Sequence, residues 1–404
     1  MRAALGAWKA AARLGIGVPD FDESKMIAEA RRKTGLHHFG SDDFRVPMRR
    51  LLRAFDDEAD LHLLGRAVLR GAAVRALECR LRLEHLSDLN PALATLPVER
   101  PVFITGMQRT GTTKLHRLLS CATELRHLSA VEALRPAPIG RPIANEPGDL
   151  EKRAREAKLA EWGMRYLSPD LFAIHPIEAD SPEEDVFLFD VTFISPAVDA
   201  SLSVPTYTRW IREIDQRPPY EYVRRLIQLL LWQRGGRYLG KTPHHQENLD
   251  VLFDVFPDAK VIHTHREPRE VVPSFASMMA HTGALLTDDV DSSAVGRRVA
   301  DQMANSVERA IVARRSVGEG RVLDVQYQEL VGDTLGTMRR IYDFLELEWS
   351  DESVGRMQHW IGANPQHKYG RHRYTLEDFG LDGFELDERF KAYRERFGVE
   401  RARG

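Results

Sequence analysis

One short segment constrains the fold of this chain more than any other: an apolar run that leads into a glycine-rich loop. The run Val102–Thr105 ends at Gly106, a second glycine stands at Gly111, and helical spacing extends from there over Thr112–Cys121. A strand, a tight glycine-rich turn and a helix in this order form the first unit of an α/β sheet. The segment therefore predicts an α/β fold that starts near residue 100.

Further short apolar runs support this prediction along the rest of the chain. They lie at Leu125–Leu128, Tyr238–Gly240, Lys260–His263 and Val322–Val325, and helical segments separate them. Strands that alternate with helices indicate parallel strands joined by crossover helices. We predict a three-layer α/β/α sandwich with a central parallel sheet.

The helical segments outside this core suggest how the chain is divided. Apolar residues recur at threes and fours over residues 1–97, which predicts an N-terminal helical region. Residues 98–404 form the predicted α/β domain, with helix-rich insertions at about 150–235 and 280–317. We expect the aromatic residues of the first insertion to lie in the core. They are Trp162, Tyr166, Phe187, Phe189, Tyr207, Trp210 and Trp232.

Composition excludes several classes of function. The chain has 404 residues, and its 57 basic and 60 acidic side chains are well mixed, which argues against a nucleic-acid partner. No run of eighteen apolar residues occurs, so we predict no transmembrane segment. The two cysteines, Cys79 and Cys121, have no partner at metal-ligand spacing and are compatible with a reducing cytoplasm. Acidic residues near His175 are interpreted as solvated or paired with arginine, so no metal site is predicted.

The glycine-rich loop has the chemistry of an anion site. Two glycines allow a tight turn that points backbone N–H groups inward, and the start of the following helix adds partial positive charge. Arg109 contributes a planar fork of donors inside the loop. The predicted phosphate-binding residues are Gly106, Arg109, Thr110, Gly111, Thr112 and Thr113.

The loop departs from the pattern of nucleotide triphosphatases at one decisive position. Thr112 stands where the pattern G-x-x-x-x-G-K-[ST] has the lysine that binds the β- and γ-phosphates. Without this lysine the loop is less suited to a triphosphate with its Mg²⁺, whereas Arg109 suits a single phosphate that carries one further group. A small-molecule kinase with a phosphate loop remains an alternative function.

A second basic position follows a later strand. The run Val261–His265 leads to Arg266, and Pro268 begins a helix on which Ser274 lies two turns along. Arg266 and Ser274 are therefore candidates for binding a second phosphate.

Together these motifs resemble those of the sulfotransferase superfamily, above all its bacterial and tyrosylprotein branches. Arg109–Thr113 is similar to the family's 5'-phosphosulfate loop, and Arg266 with Ser274 is similar to its 3'-phosphate motif. The resemblance implies 3'-phosphoadenosine 5'-phosphosulfate (PAPS) as donor and sulfonate transfer to a hydroxyl without a metal. It also implies that Tyr327 touches the adenine, and that the C-terminal segment with Lys368, Gly370 and Arg371 closes over the nucleotide. The acceptor, which is a small molecule, a lipid or a glycan, is left open, as is the oligomeric state.

An alcohol needs a base to accept its proton during transfer. Glu132 follows the second predicted strand at a position that resembles the glutamate base of the tyrosylprotein enzymes, and it is the first candidate beside the catalytic Arg109. His244, or its neighbour His245, follows another strand and is the alternative. A non-catalytic nucleotide-binding member of the family is the remaining alternative, since it would bind the donor without transfer.

Overall fold

The structure is a computed structural model that describes residues 17–140, 147–167, 178, 181–365 and 374–401. At its centre lies a sheet of five parallel strands in the order β2-β3-β1-β4-β5. Helices flank the sheet, so the predicted α/β fold with a central parallel sheet is confirmed. The strands are β1 (Val102–Gly106), β2 (Leu125–His127), β3 (Arg237–Lys241), β4 (Lys260–His265) and β5 (Val322–Gln326).

The middle strand explains why the apolar runs were informative. Every residue of β1 is buried, and Ile104 faces Lys241 of β3 on one side and Ile262 of β4 on the other. A parallel strand covered on both faces needs a continuous apolar run rather than an alternating one. The carboxyl ends of β3, β1 and β4 therefore lie side by side, where ligands bind in open α/β sheets.

The N-terminal region is helical, as predicted. Its core residues, among them Met26, Leu51 and Phe55, pack in one cluster with Phe193 and Tyr207 from the first insertion. The N-terminal helices therefore share a core with a later part of the chain, and the division at residue 97 stays a prediction. These helices are α1 (Glu23–Thr34), α2 (Arg45–Asp57), α3 (Leu63–Leu89) and α4 (Ala92–Thr95).

The segment between β1 and β4 contains the first insertion. Phe189 and Tyr207 are buried there as expected, but Trp162 and Tyr166 are exposed. The expectation that these two rings belong to the core was wrong, because they lie on the outer face of their helix. The helices are α5 (Thr112–Leu119), α6 (Ala130–Leu134), α7 (Pro147–Leu167), α8 (Val186–Asp190), α9 (Pro196–Ser201), α10 (Pro205–Glu213), α11 (Arg217–Arg234), a 3-10 helix (Pro243–Asn248) and α12 (Leu249–Val255).

The remaining helices complete the layers around the sheet. In the part of the chain described here, no helix combines the length and the apolar character needed to span a bilayer. The helices are α13 (Pro268–Ala284), α14 (Ser292–Ser316), a 3-10 helix (Glu319–Arg321), α15 (Tyr327–Gly332), α16 (Thr334–Leu345), α17 (Asp351–Ala363), a 3-10 helix (Glu377–Phe379), α18 (Gly383–Arg389) and α19 (Lys391–Phe397).

Candidate functional site

The loop after β1 has a backbone that only glycine accommodates at two positions. Gly106 has φ 140°, and a Cβ atom there would lie 2.4 Å from the carbonyl oxygen of Thr264. Gly111 has φ 91°, and a Cβ there would press on the ring of Tyr327 at 3.0 Å. Arg109 also has a positive φ, of 70°, which is costly for a residue with a side chain. The loop is therefore held in a strained, tightly packed conformation.

The strained loop brings the predicted donor-binding residues together. The Nε of Arg109 donates to the hydroxyl oxygen of Ser274 on α13 at 3.1 Å. Arg266 donates from Nη1 to the carbonyl oxygen of Arg109 at 3.0 Å, and its guanidinium lies 4.0 Å from the centre of the Tyr327 ring. Residues far apart in sequence thus form one basic surface with one aromatic ring beside it.

The charge of this surface is incompletely neutralised. Arg266 is paired with Glu270 at 2.7 Å, but among the described residues no carboxylate lies within ion-pairing distance of Arg109. Burial lowers the pKa of Arg109 and Arg266 adds to this effect, whereas Tyr374 opposes it. A partly buried guanidinium without a carboxylate partner is unfavourable unless an anion supplies the missing charge. The arrangement is that of an anion site.

The three threonines of the loop differ in their contacts and in their exposure to solvent. The hydroxyl of Thr110 bonds the carbonyl oxygen of Met107 at 2.5 Å and the hydroxyl of Thr264 at 2.7 Å, which ties the loop to β4. Thr112 is buried at the start of α5, whereas Thr113 is exposed. Lys114 points away from the loop, since its Nζ donates to Leu330 and Thr334.

Glu132 has the contacts of a structural residue. Its Oε2 accepts from the backbone N–H of Ser129 at 2.9 Å and from the Ser129 hydroxyl at 2.8 Å, which completes a capping box at the start of α6. Its Oε1 pairs with Arg234 at 2.8 Å and lies 3.7 Å from Arg126. Because both oxygens are engaged and the side chain is 2% exposed, the geometry does not favour the prediction that Glu132 is the base.

The two histidines after β3 lie in different environments. His245 is buried, with Nδ1 bonded to the Tyr220 hydroxyl at 2.9 Å and Nε2 to Asp185 at 3.1 Å, so it belongs to the core. His244 bonds Glu247 through Nδ1 at 3.0 Å. Its Nε2 has one long contact, 3.3 Å to the side-chain amide of Asn248. Of the two, His244 is the one within reach of a ligand.

His244 lines a cavity of about 280 Å³ that opens beside the glycine-rich loop Gly106–Thr113, and we call it the loop cavity. Gln108 of the loop and Thr242 after β3 are among its polar lining residues. Glu184 also lines it, and its carboxylate bonds the Nζ of buried Lys241 at 2.6 Å. The rest of the wall is mainly apolar and includes Phe275, Met278, Met279 and Met303.

A cluster of His263, His265 and Asp324 brings three possible metal ligands within 4.8 Å of one another. Arg314 already occupies this place, since it donates to both oxygens of Asp324 at 2.8 and 3.0 Å. Against the effect of burial, the bonds from His265 and Arg314 hold the pKa of Asp324 well below its usual range. A cation would face the Arg314 guanidinium here, so we interpret the cluster as a structural network.

Comparison with known proteins agrees with this geometry. The sequence pattern of a family described as the sulfotransferase family matches residues 101–351, which include the phosphate loop, Arg266 and Tyr327. The chain belongs to the sulfotransferase family. The match covers more than half of the chain and decides against the kinase alternative.

Individual relatives of this sulfotransferase span most of its length. The omega-hydroxy-beta-dihydromenaquinone-9 sulfotransferase Stf3 of Mycobacterium tuberculosis is 24% identical over 325 residues, 76% of this chain and 77% of the relative. The crystal structure of STF1 from M. tuberculosis has a TM-score of 0.80 at 30% identity, over 92% of this chain and 98% of that one. STF9 from Mycobacterium avium has a TM-score of 0.84 at 27% identity, over 96% and 98%.

Some residues of this site were not identified from the sequence. Lys241 is not predicted as a site residue, although a lysine at the end of a core strand is a visible signal. Glu184 belongs to the acidic segment after His175, for which the sequence predicts a place at the border of the acceptor pocket and no individual role. Gln108 belongs to the predicted glycine-rich loop, but the sequence does not predict that its side chain lines a cavity. The predicted closing segment with Lys368, Gly370 and Arg371 lies outside the described residues, and the described chain resumes at Tyr374.

Proposed function

We propose that this sulfotransferase moves the sulfonate group of PAPS to the hydroxyl of an apolar small molecule or lipid bound in the loop cavity. The observation that carries the proposal is the guanidinium of Arg109, which donates to Ser274 and has no carboxylate partner among the described residues. Its neighbour in the loop, Gln108, lines the loop cavity. An anionic donor placed there would supply the missing charge. The acceptor would then approach from the apolar side.

The donor fits the basic surface in two parts. Arg109 and the start of α5 suit the 5'-phosphosulfate, because backbone N–H groups and a guanidinium fork both favour an oxyanion. Arg266 and Ser274 are proposed to hold the 3'-phosphate. Tyr327, over which Arg266 already lies, offers a ring for the adenine.

In the proposed reaction the acceptor oxygen forms a bond to sulfur while the bond from sulfur to the bridging phosphate oxygen breaks. The leaving group is adenosine 3',5'-bisphosphate, and Arg109 stabilises the charge that its 5'-phosphate gains. The acceptor's proton passes to Nε2 of His244, whose Nδ1–H is held by Glu247. A sulfonyl group carries less charge than a phosphoryl group, so we propose that these cations suffice without a metal.

The lining of the loop cavity favours an apolar acceptor over a glycan. Three methionines and two phenylalanines form much of its wall, and flexible methionines adapt to apolar ligands of varied shape. Most of the exposed surface of this wall is apolar, so a sugar would leave part of its hydroxyls without partners. The name of the relative Stf3 points the same way, since its acceptor is a hydroxylated menaquinone derivative.

Transfer of labelled sulfonate tests the proposal directly. We expect the enzyme, given PAPS labelled in the sulfonate, to label a long-chain primary alcohol and not a monosaccharide, and to do so equally well in the presence of EDTA. Label in the sugar alone would contradict the acceptor class. If the bisphosphate binds but neither these acceptors nor a lipid extract become labelled, the chain is a non-catalytic member of the family.

Replacing Arg266 by alanine tests the proposed 3'-phosphate site. We expect the Kd of adenosine 3',5'-bisphosphate to rise by about 10- to 100-fold, because a charge-assisted contact is worth about 1.5 to 3 kcal/mol. The Kd of adenosine 5'-monophosphate should rise far less, by the loss of the contacts of Arg266 with the Arg109 carbonyl and the Tyr327 ring alone. Calorimetry with both nucleotides measures the difference.

The matched control is Arg269→Ala, which removes a cation from the same end of α13. Arg269 is paired with Asp387 on α18 and does not face the loop, so both nucleotides should bind as they do to the unchanged enzyme. Equal losses for the two nucleotides in Arg266→Ala would mean that Arg266 does not recognise the 3'-phosphate.

A further inference from the structure

Helix α7 exposes an apolar face that nothing in the described chain covers. Leu159, Trp162 and Tyr166 are 69%, 60% and 59% exposed, and their spacing of three and four residues puts them on one side of the helix. The rings of Trp162 and Tyr166 stack with their centres 5.7 Å apart. The other large apolar residues exposed in the described chain are scattered over separate places. A contiguous exposed apolar patch usually marks a binding surface.

Cations accompany this apolar face. Arg155 and Lys158 lie one turn before Leu159 and Trp162, so they share the same side of α7. Both are exposed, as is Lys152, and none of the three has an ion-pair partner among the described residues. The exposed Glu151 shares this side, so the net charge of the face is positive but smaller than the three cations alone would give. Apolar and aromatic side chains flanked by lysine and arginine are typical of helices that lie in the interface of an anionic membrane.

The opposite face of the same helix borders a second cavity. Ala157, Ala160 and Glu161 of α7 line it together with alanines of α3 and α6, and its volume is about 250 Å³. We call it the helix cavity. Phe187 contributes to the walls of both the helix cavity and the loop cavity. The helix cavity and the loop cavity thus share Phe187 as a lining residue.

We infer that the outer face of α7 docks on an anionic lipid bilayer, with Leu159, Trp162 and Tyr166 at the boundary of headgroups and acyl chains. Tryptophan and tyrosine prefer this depth because their rings are apolar and carry one polar group. Docking would place α7 between the bilayer and the helix cavity, so that an apolar acceptor would pass the edge of α7 to enter the cavity. The entry of an acceptor by this route rests on the proposed function, whereas the docking of α7 on the bilayer does not.

A second copy of the chain fits this face less well. A twofold interface would bring the same cations of both copies together, namely two each of Lys152, Arg155 and Lys158. Like charges that meet in an interface oppose association. An anionic surface instead complements them, and each cation near such a surface adds to the attraction.

Vesicle flotation tests the docking surface. We expect the enzyme to float with vesicles of phosphatidylcholine and phosphatidylglycerol, and less with phosphatidylcholine alone. The combined substitution Leu159→Gln, Trp162→Gln and Tyr166→Gln should lower the partition coefficient by about tenfold or more, because it removes the apolar contacts that drive insertion. The substitution pair Arg155→Glu and Lys158→Glu should remove the preference for phosphatidylglycerol.

Matched variants control for surface changes elsewhere. Val68→Gln, Leu89→Gln and Phe384→Gln together remove exposed apolar groups from other elements and should leave flotation unchanged. Arg315→Glu with Lys391→Glu alters the net charge equally, at exposed positions away from α7. All variants should bind adenosine 3',5'-bisphosphate like the unchanged enzyme, which shows that the fold is intact.

Fluorescence of Trp162 gives an independent readout. Vesicles that carry brominated acyl chains should quench the enzyme, and Trp162→Phe should remove most of that quenching. Flotation of the triple α7 variant like the unchanged enzyme would overturn the proposal, as would a dimer that forms without lipid and dissociates in that variant. If vesicles bind through α7 but labelled sulfonate is never transferred, the proposed function fails and the docking surface stands.

Discussion

Replacement of Arg109 by alanine should reduce sulfonate transfer by on the order of 1,000-fold, since loss of one donor to a developing oxyanion costs about this much in other enzymes. The guanidinium is the only cation that the described structure places within the loop itself, next to Ser274. As the bond from sulfur to the bridging oxygen breaks, charge builds on the 5'-phosphate, and Arg109 is proposed to stabilise it. Single-turnover transfer from labelled PAPS measures the loss.

Alanine is a clean replacement at this position. Arg109 has φ 70°, and alanine keeps the Cβ that makes this conformation costly, so the strain of the loop is nearly unchanged. Arg109→Gly would relieve that strain and could alter the loop in a second way. Thermal unfolding should therefore show Arg109→Ala to be about as stable as the unchanged enzyme.

Two further variants serve as controls for the effect of Arg109→Ala. Lys114→Ala removes a cation of α5 that points toward Leu330 and Thr334, and transfer should stay within about threefold. Arg109→Lys keeps the charge but loses the planar fork, and it should restore only part of the rate. Transfer by Arg109→Ala within tenfold of the unchanged enzyme would remove Arg109 from the mechanism.

The fold was largely predictable because its sheet is parallel and buried. Each strand appeared as a short apolar run, and the predicted β1 at Val102–Thr105 differs from the observed strand by one residue. The donor motifs were also predictable, since each is local to one loop or one helix start. The two motifs lie close together because β1 and β4 are neighbouring strands. The order of the elements along the chain is compatible with this pairing but does not determine it.

The base could not be assigned in the same way, because its identity depends on contacts between distant segments. Glu132 meets Arg234, 102 residues later, only because β3 and the helix before it lie next to β2. One local signal was nevertheless available. Ser129 and Glu132 have the spacing of a capping box, which already indicates a structural use of the carboxylate. The different environments of His244 and His245 arise because, of the two, only His245 bonds Asp185. That contact joins residues 60 positions apart, so no local sequence pattern predicts it.

The choice between His244 and Glu132 predicts opposite outcomes for two substitutions. His244→Asn retains an N–H group near the position of Nδ1, so the contact with Glu247 can persist while the proton acceptor Nε2 is lost. We expect single-turnover transfer to fall by about 100- to 10,000-fold, the usual contribution of a general base. The Kd of adenosine 3',5'-bisphosphate should not change, because His244 lines the acceptor side of the site.

Glu132→Gln should have the complementary effect. Both bonds from Ser129 go to one oxygen, which the amide oxygen can replace, but the amide NH2 group then faces Arg234 and the ionic contact is lost. The free energy of unfolding should therefore fall by about 1 to 3 kcal/mol. Transfer by the folded protein should stay within about threefold. Glu184→Gln serves as the control within the loop cavity, since it removes a carboxylate that already pairs with Lys241. If Glu132→Gln or Glu184→Gln loses transfer while His244→Asn keeps it, the proton goes to that carboxylate, and the assignment of His244 is wrong.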